Sequence, residues 1–203
     1  MRIRGARDDD AAAMYDICVR TADAGGDARS FHGDPDLPGH VWAGAYVALE
    51  PEYAFVLVND GDVPVGYVIG ALDSRSFEAR CERDWWPSLR ERYPLGSGAT
   101  ERDRTEIGFV HAPPLAADEV VAGYPSHLHI DLLPEAQGRG AGRRLIETLT
   151  ASLAADGSRG VHLGVAMQNE NARAFYERVG FAEFARTDDT VTFVMPLAAD
   201  ESS

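Results

Sequence analysis

Cysteine is scarce, long apolar runs are missing, and basic residues are heavily outnumbered. Cys18 and Cys81 share no CxxC pattern or metal-ligand spacing, and each stands at helical spacing among apolar neighbours. Both are therefore expected as reduced core residues, and no metal site is expected despite six histidines. No apolar run approaches the length of a membrane span, and "MRIRGARDDD" lacks the apolar segment of a signal peptide, so a cytoplasmic location and no membrane partner are the expectation. With 33 acidic against 19 basic residues the formal charge is −14, which argues against a nucleic-acid partner. The same charge is compatible with a cationic acceptor such as an amine, and also with an ordinary solvated acidic surface.

What is present reads as one α/β domain over residues 1–197, with a disordered tail at 198–203. "MRIR" is a short strand. "DDDAAAMYDICVRTADAGG" is helical, with Met14, Ile17, Cys18 and Thr21 at i, i+3, i+4, i+7. A polar Gly/Pro-rich stretch leads to a second helix, "HVWAGAYVALE", and then to two strands, "YAFVLV" and "VPVGYVIGALD", joined by "NDGD". Residues 74–125 have a different texture: Phe77, Cys81, Trp85 and Leu89 at i+4 spacing, Pro87, a Gly/Ser linker, a short helix near Ile107–Val110 and a Pro-rich loop. This reads as a helical insert with too few apolar residues for a core of its own. A strand, "PSHLHIDLLPEA", precedes a helix with Leu145, Ile146, Leu149 and Leu153 on one face. The strand "GVHLGVAM", the helix "ENARAFYERVG" with Gly180 as C-cap, and a hairpin turning at Asp188-Asp189 complete the chain. The order indicates an α/β sandwich around a mixed sheet.

Between the fourth strand and its helix lies "EAQGRGAGRRL", with Gly138, Gly140 and Gly142 at alternate positions. Glycine lets backbone N–H groups approach an anion, and a helix N-terminus adds partial positive charge, so the loop suits phosphate. It is not a dinucleotide fingerprint, because Arg143 occupies the third glycine position, and no GK[ST] follows. Alone, the loop is equally a tight strand-to-helix turn.

"LPEAQGRGAGRRL" together with "LGVAMQNENARAFYERVGF" resembles the paired motifs of the GNAT N-acetyltransferase superfamily. The resemblance implies a three-layer α/β sandwich whose mixed, mostly antiparallel sheet is splayed between strands 4 and 5, with the insert between strands 3 and 4. It implies acetyl-CoA as co-substrate, no metal, and possible homodimers. Pyrophosphate falls to the backbone of Gly138, Arg139, Gly140, Ala141, Gly142 and Arg143 beside Gln137, and the pantetheine arm to the strand end at Leu132 and Leu133. Asn169 is placed on the cofactor arm, though its position also suits an N-cap of the helix that follows. Tyr176 is implied as the acid for the departing thiolate, and its alternative is a packed aromatic beside Phe175 and Phe181. The insert, with "VGYVIGALD", "YPSHLHIDLLP" and "DGSRGVHLGV", further resembles the acetyltransferase-like C-terminal domain of O-GlcNAcase and its free-standing bacterial relatives. That domain has lost the glycine loop, whereas this chain keeps "QGRGAG".

Strand alternation puts His127, His129 and Asp131 on one face and Leu128, Ile130 and Leu132 on the other. The family's habit places the base on this strand: Asp131 is expected first and His129 second, with a structural carboxylate as the alternative. For the acceptor wall the candidates are Phe31, His32, Trp42, Asp73, Trp85, Trp86 and Tyr93, suited to a cationic or sugar-like amine or to anchoring the insert. His111 and His162 are expected to be structural. The reading is an acetyl-CoA-dependent N-acetyltransferase acting by direct transfer on a small amine, aminosugar or peptide lysine; the alternative is a non-catalytic acyl-CoA-binding or interaction module.

Overall fold

A computed structural model describes residues 1–197; the expected tail at 198–203 lies outside them. Strands β1 (Arg2–Gly5), β2 (Ala54–Val58), β3 (Pro64–Ala71), β4 (Ser126–Leu132), β5 (Gly160–Ala166), β6 (Ala182–Arg186) and β7 (Thr190–Pro196) form one open sheet in the order β1-β2-β3-β4-β5-β7-β6. Every pairing is antiparallel except β4 with β5, which is parallel. That parallel pair needs a long crossover. The helix α8 (Ala141–Ala155) supplies it, burying Leu145, Ile146, Leu149 and Leu153 against the sheet. On the opposite face pack α1 (Ala11–Val19), α2 (Leu37–Trp42), α3 (Gly44–Leu49) and the insert, giving three layers.

The pairing of β4 with β5 stops early. Only Ser126↔Val161 and His127↔His162 are in register, and the strands then diverge. This is the expected splay, and it opens the sheet where the glycine loop begins.

One expected helix is two. The stretch from Leu37 to Leu49 breaks at Ala43, whose backbone leaves helical geometry. Gly44 lets Tyr15 and Trp85 approach too closely for any side chain to fit there, and Gly39 does the same for Tyr15.

The insert comprises α4 (Ser74–Arg80), a wide π-helical turn at Cys81–Trp85, α5 (Trp86–Arg92), α6 (Glu101–His111) and α7 (Asp118–Gly123). Pro87 cannot donate a helix hydrogen bond, so the register is reset in the turn ahead of it. Asp103 pins the insert to the body. It sits at the third position of α6 in a capping box with Thr100, is 3% exposed, and accepts from Gly33 N at 3.0 Å, Thr100 N at 3.1 Å and His32 Nδ1 at 3.2 Å. Burial pushes its carboxyl up, but those hydrogen bonds outweigh burial and hold it below the ordinary carboxylate value. Removing one partner from a buried charged network costs about 3–5 kcal/mol, the loss expected for Asp103→Ala in chemical denaturation. A depressed folded-state value makes this stabilisation complete above the unfolded carboxylate value of about 3.9, and it disappears as pH falls through the lower folded-state value. The gap between wild type and variant should therefore close under acid, and a pH-independent gap would refute this role for Asp103.

Candidate active site

The glycine loop and the splayed strands enclose a slot of about 900 Å³. Pro134–Ala136 form a single 3-10 turn after β4, and the chain then enters α8 through Gly138 (φ +76°) and Gly140 (φ +71°). Both glycines hold left-handed conformations that L side chains adopt only at a cost, and a Cβ on either would meet open space on the slot side. No side chain caps the start of α8 at Gly140. Its first amides are therefore free for an anion, and 15 residues of aligned peptide dipole stand behind them. Arg143 and Arg178 line the same slot, so it is locally cationic in an acidic chain. Arg139 is exposed beside it.

Gly142 has a different task. A Cβ there would lie 2.9 Å from Phe175 of helix α9 (Glu170–Val179), so this glycine lets α8 and α9 pack closely. The side chain of Arg143 reinforces that contact by donating to the carbonyl of Arg178 at 2.6 Å.

The edge of β4 forms the floor of the slot. Leu133 N donates to Val65 O at 2.9 Å, which puts the odd-numbered residues of β4 in hydrogen-bonded pairs with β3. The amides and carbonyls of Ile130 and Leu132 consequently point toward the splay. Leu133 itself differs from expectation: its amide is committed to β3 and its side chain is buried in the core, so it lies outside the slot. Ile130 takes that place. Gln137 lines the slot and ties the loop down by donating to Leu132 O at 2.9 Å. Asn169 does two things: its Oδ1 accepts from Ala172 N at 3.0 Å and caps α9, while the residue lines the slot.

Asp131, Tyr176 and Thr21, from the loop after α1, line the slot together, and the Asp131 charge acts on the Tyr176 hydroxyl. Burial pushes the Asp131 carboxyl up, against hydroxyls of Tyr67 and Thr21 that favour its ionised form. The Tyr67 hydroxyl donates to Asp131 Oδ2 at 2.5 Å from a completely buried ring, so the carboxylate is held in one orientation. Tyr176 packs its ring on Phe175, Phe181 and Phe193. Its hydroxyl makes no hydrogen bond among the described residues, and burial together with the nearby Asp131 charge raises it above the ordinary phenol value. Tyr176 is thus both a packed aromatic and a protonated phenol at the slot.

A second cavity of about 740 Å³ lies between the sheet, α3 and the insert. His127 and His129 project into it from β4, His162 from β5, and Trp42, Tyr46, Phe77, Trp86 and Phe109 form its walls. Ala166 lines both cavities. Of the expected acceptor residues, Trp42 and Trp86 line this chamber and five stand apart. Asp73 caps α4 by accepting from Ser76 N at 2.8 Å. Trp85 donates its indole N–H to His40 O at 2.9 Å and packs on Gly44. Phe31 is 44% exposed beneath the Arg102 guanidinium. His32 and Tyr93 anchor the insert, through Asp103 and through a 2.7 Å hydrogen bond from Tyr93 to Asp34. His111 donates from Nε2 to Tyr93 O at 2.9 Å.

A family profile described as "Acetyltransferase (GNAT) family" matches residues 22–181. The chain belongs to the GNAT acetyltransferase family. It is 29% identical over 182 residues to protein O-GlcNAcase of Rattus norvegicus, covering 88% of this chain and 20% of that protein. It is 31% identical over 153 residues to mycothiol acetyltransferase of Streptomyces avermitilis, covering 73% of this chain and 45% of that one. The chain thus spans less than half the length of these curated relatives. Among solved structures, the crystal structure of SsHAT superposes with a TM-score of 0.89 at 41% identity, over 97% of this chain and 98% of that one.

Within this GNAT chain, sequence reasoning overlooked Tyr67, Thr21, Ile130 and Glu106. Tyr67 and Ile130 read only as strand residues, and no local signal separates them from their neighbours. Glu106 is on the insert, where it accepts from the Trp42 indole at 2.8 Å; burial pushes its carboxyl up to about 7 against that hydrogen bond. Cys81 lines the chamber, but burial pushes its thiol up to about 12, so it is no thiolate at neutral pH. No helix among the described residues is long and apolar enough to cross a membrane.

Proposed function

We propose that this enzyme transfers acetyl from acetyl-CoA directly to the nitrogen of a primary amine. The observation that carries the reading is the meeting of three groups in one slot: the glycine-loop helix start, the carboxyl of Asp131 and the hydroxyl of Tyr176. The free amides of α8, with Arg143 and Arg178, fit a pyrophosphate, and the edge amide and carbonyl of Ile130 with the amide of Leu132 fit a pantetheine arm lying as an added strand. When bound, acetyl-CoA supplies an electrophilic thioester carbonyl and a sulfur leaving group.

The protein's residues supply proton transfer and position. Asp131, whose carboxyl burial raises against the hydrogen bond from Tyr67, takes a proton from the acceptor nitrogen. Tyr67 holds the carboxylate through Oδ2, and the residue lines the slot. Tyr176, protonated throughout the neutral range, gives its hydroxyl proton to the departing sulfur. His129 is less suited as the base, because burial and the neighbouring His162 lower it to about 4 and it opens on the chamber instead. With Cys81 protonated and Cys18 buried, a ternary complex fits better than an acetylated cysteine.

All 19 basic residues are arginine, so the chain has no lysine of its own to acetylate and mass spectrometry of an amine mixture gives a clean readout. Incubation with acetyl-CoA should yield an acetylated amine and free CoA thiol. Tyr176→Phe should lower kcat about tenfold or more with acetyl-CoA affinity unchanged, as for loss of one general acid. Tight acetyl-CoA binding without acetylation of any amine would favour a binding module instead.

A further inference from the structure

The chamber beside the slot is chemically unlike the surface of this acidic chain. Its charged wall residues are neutralised by their neighbours. Glu78 is paired with Arg75 at 2.6 Å and accepts from Ala116 N, while Arg186 is paired with Glu183. The remainder is mostly apolar, with an aromatic side facing aliphatic residues: Tyr46 stacks on Phe77 with centroids 4.4 Å apart, and Trp42 meets Phe109 edge-on at 5.4 Å.

On the histidine side of the chamber the hydrogen-bonding capacity is mostly spent. Ser74 gives its one hydroxyl proton to Pro125 O at 2.7 Å, a carbonyl that can only accept. His127 Nδ1, 2.7 Å from the same hydroxyl, must then carry the proton of that contact, leaving Nε2 to accept from the Tyr46 hydroxyl at 2.8 Å. His127 is therefore neutral and fully satisfied. His162 donates from Nδ1 to Tyr124 O at 2.7 Å. Only the His129 imidazole stands between Trp42 and Tyr46, at 6.0 and 5.4 Å, with neither nitrogen engaged by a described residue. Among the described residues no three such side chains are arranged to hold a metal ion. The histidines therefore read as polar points beside the aromatic side of an apolar chamber.

Direction completes the picture. His129 and Asp131 are two residues apart on the same face of β4, so their Cα positions are separated by about 7 Å. A molecule whose body rests against His129 in the chamber thus presents a group one short arm away to Asp131 in the slot.

We infer that the chamber is the acceptor's binding site and that it takes an uncharged, bicyclic-sized aromatic body bearing a primary amine on a short alkyl arm. Such a body fills aromatic walls that offer no counter-charge, its ring N–H or hydroxyl meets His129, and its amine reaches Asp131. A polyamine would find only Glu78, already paired with Arg75, and the several hydroxyls of an aminosugar would have only His129 and the threonines of one wall to meet. The inference rests on the amine-transfer reading for its direction of approach but not for the binding itself.

Tryptamine is a suitable probe, with spermidine and glucosamine as comparators and release of CoA thiol as the rate readout. For wild type, kcat/KM for tryptamine should exceed that for either comparator by about 10- to 100-fold, the value of burying one aromatic body. Calorimetric titration of tryptamine into the protein without acetyl-CoA tests occupancy apart from chemistry. Thr192→Phe, from the β7 wall of the chamber, should weaken tryptamine about tenfold or more and leave acetyl-CoA affinity unchanged. Equal use of spermidine or glucosamine, no tryptamine binding to wild type, or tryptamine binding indifferent to Thr192→Phe would each overturn the assignment. Binding of tryptamine that Thr192→Phe abolishes, with no thiol release from any amine, would uphold the chamber and defeat the transferase reading.

Discussion

Asp131→Asn is expected to reduce kcat/KM about 100- to 10,000-fold while leaving acetyl-CoA affinity within a few-fold of wild type. The range is that of a lost general base, and the substitution keeps the size and one hydrogen-bond acceptor of the side chain. Tyr67 can still donate to the asparagine oxygen, so the fold around this completely buried tyrosine is preserved. The pH dependence identifies the mechanism. Because burial raises the carboxyl, the ascending limb of the wild-type profile should lie above the ordinary aspartate value of about 3.9, at the pH where Asp131 ionises in the slot. That limb should vanish in the variant. A variant that retains both rate and limb would transfer the base role elsewhere, with His129 next in line.

Gly140→Trp is expected to weaken acetyl-CoA at least about 100-fold in calorimetry, corresponding to about 2.7 kcal/mol. Two effects act together. The left-handed backbone at φ +71° costs an L residue about 1–2 kcal/mol. The indole would also project into the space beside the first amides of α8, where the pyrophosphate is placed. Global stability should fall by no more than the backbone cost, since a side chain at this position meets no protein atom within 4 Å. Unchanged affinity in a folded variant would show that the loop is only a turn.

Much of this architecture could be read from residue order. The apolar face of α8, the alternation of β4, the Gly180 C-cap (φ +108°) and the hairpin at Asp188-Asp189 are local patterns, and each element forms where its pattern lies. What escaped was decided by contacts distant in sequence. The break between α2 and α3 is imposed by Tyr15 and Trp85 pressing on glycines. Trp85 and Trp86 look equivalent in a helical pattern, but the π turn over Cys81–Trp85 shifts the phase, so Trp86 reaches the chamber while Trp85 turns to His40. Gly142 reads as part of a phosphate loop, although its hydrogen atom makes room for Phe175. Asp73 looks like an acceptor-binding carboxylate because capping and binding use the same residue type, and only the bond to Ser76 N separates them. Tyr67 gave no signal at all: a tyrosine within an apolar strand is ordinary core, and its partner Asp131 lies 64 residues away.

The most direct test of the account is an experimental structure of the protein with acetyl-CoA bound. The account predicts pyrophosphate oxygens on the amides that open α8 beyond Gly140, the pantetheine arm along Ile130 and Leu132, and the thioester sulfur within hydrogen-bond reach of the Tyr176 hydroxyl, with Asp131 on the side from which an amine arrives. Acetyl-CoA seated elsewhere, or a thioester far from both Asp131 and Tyr176, would contradict it.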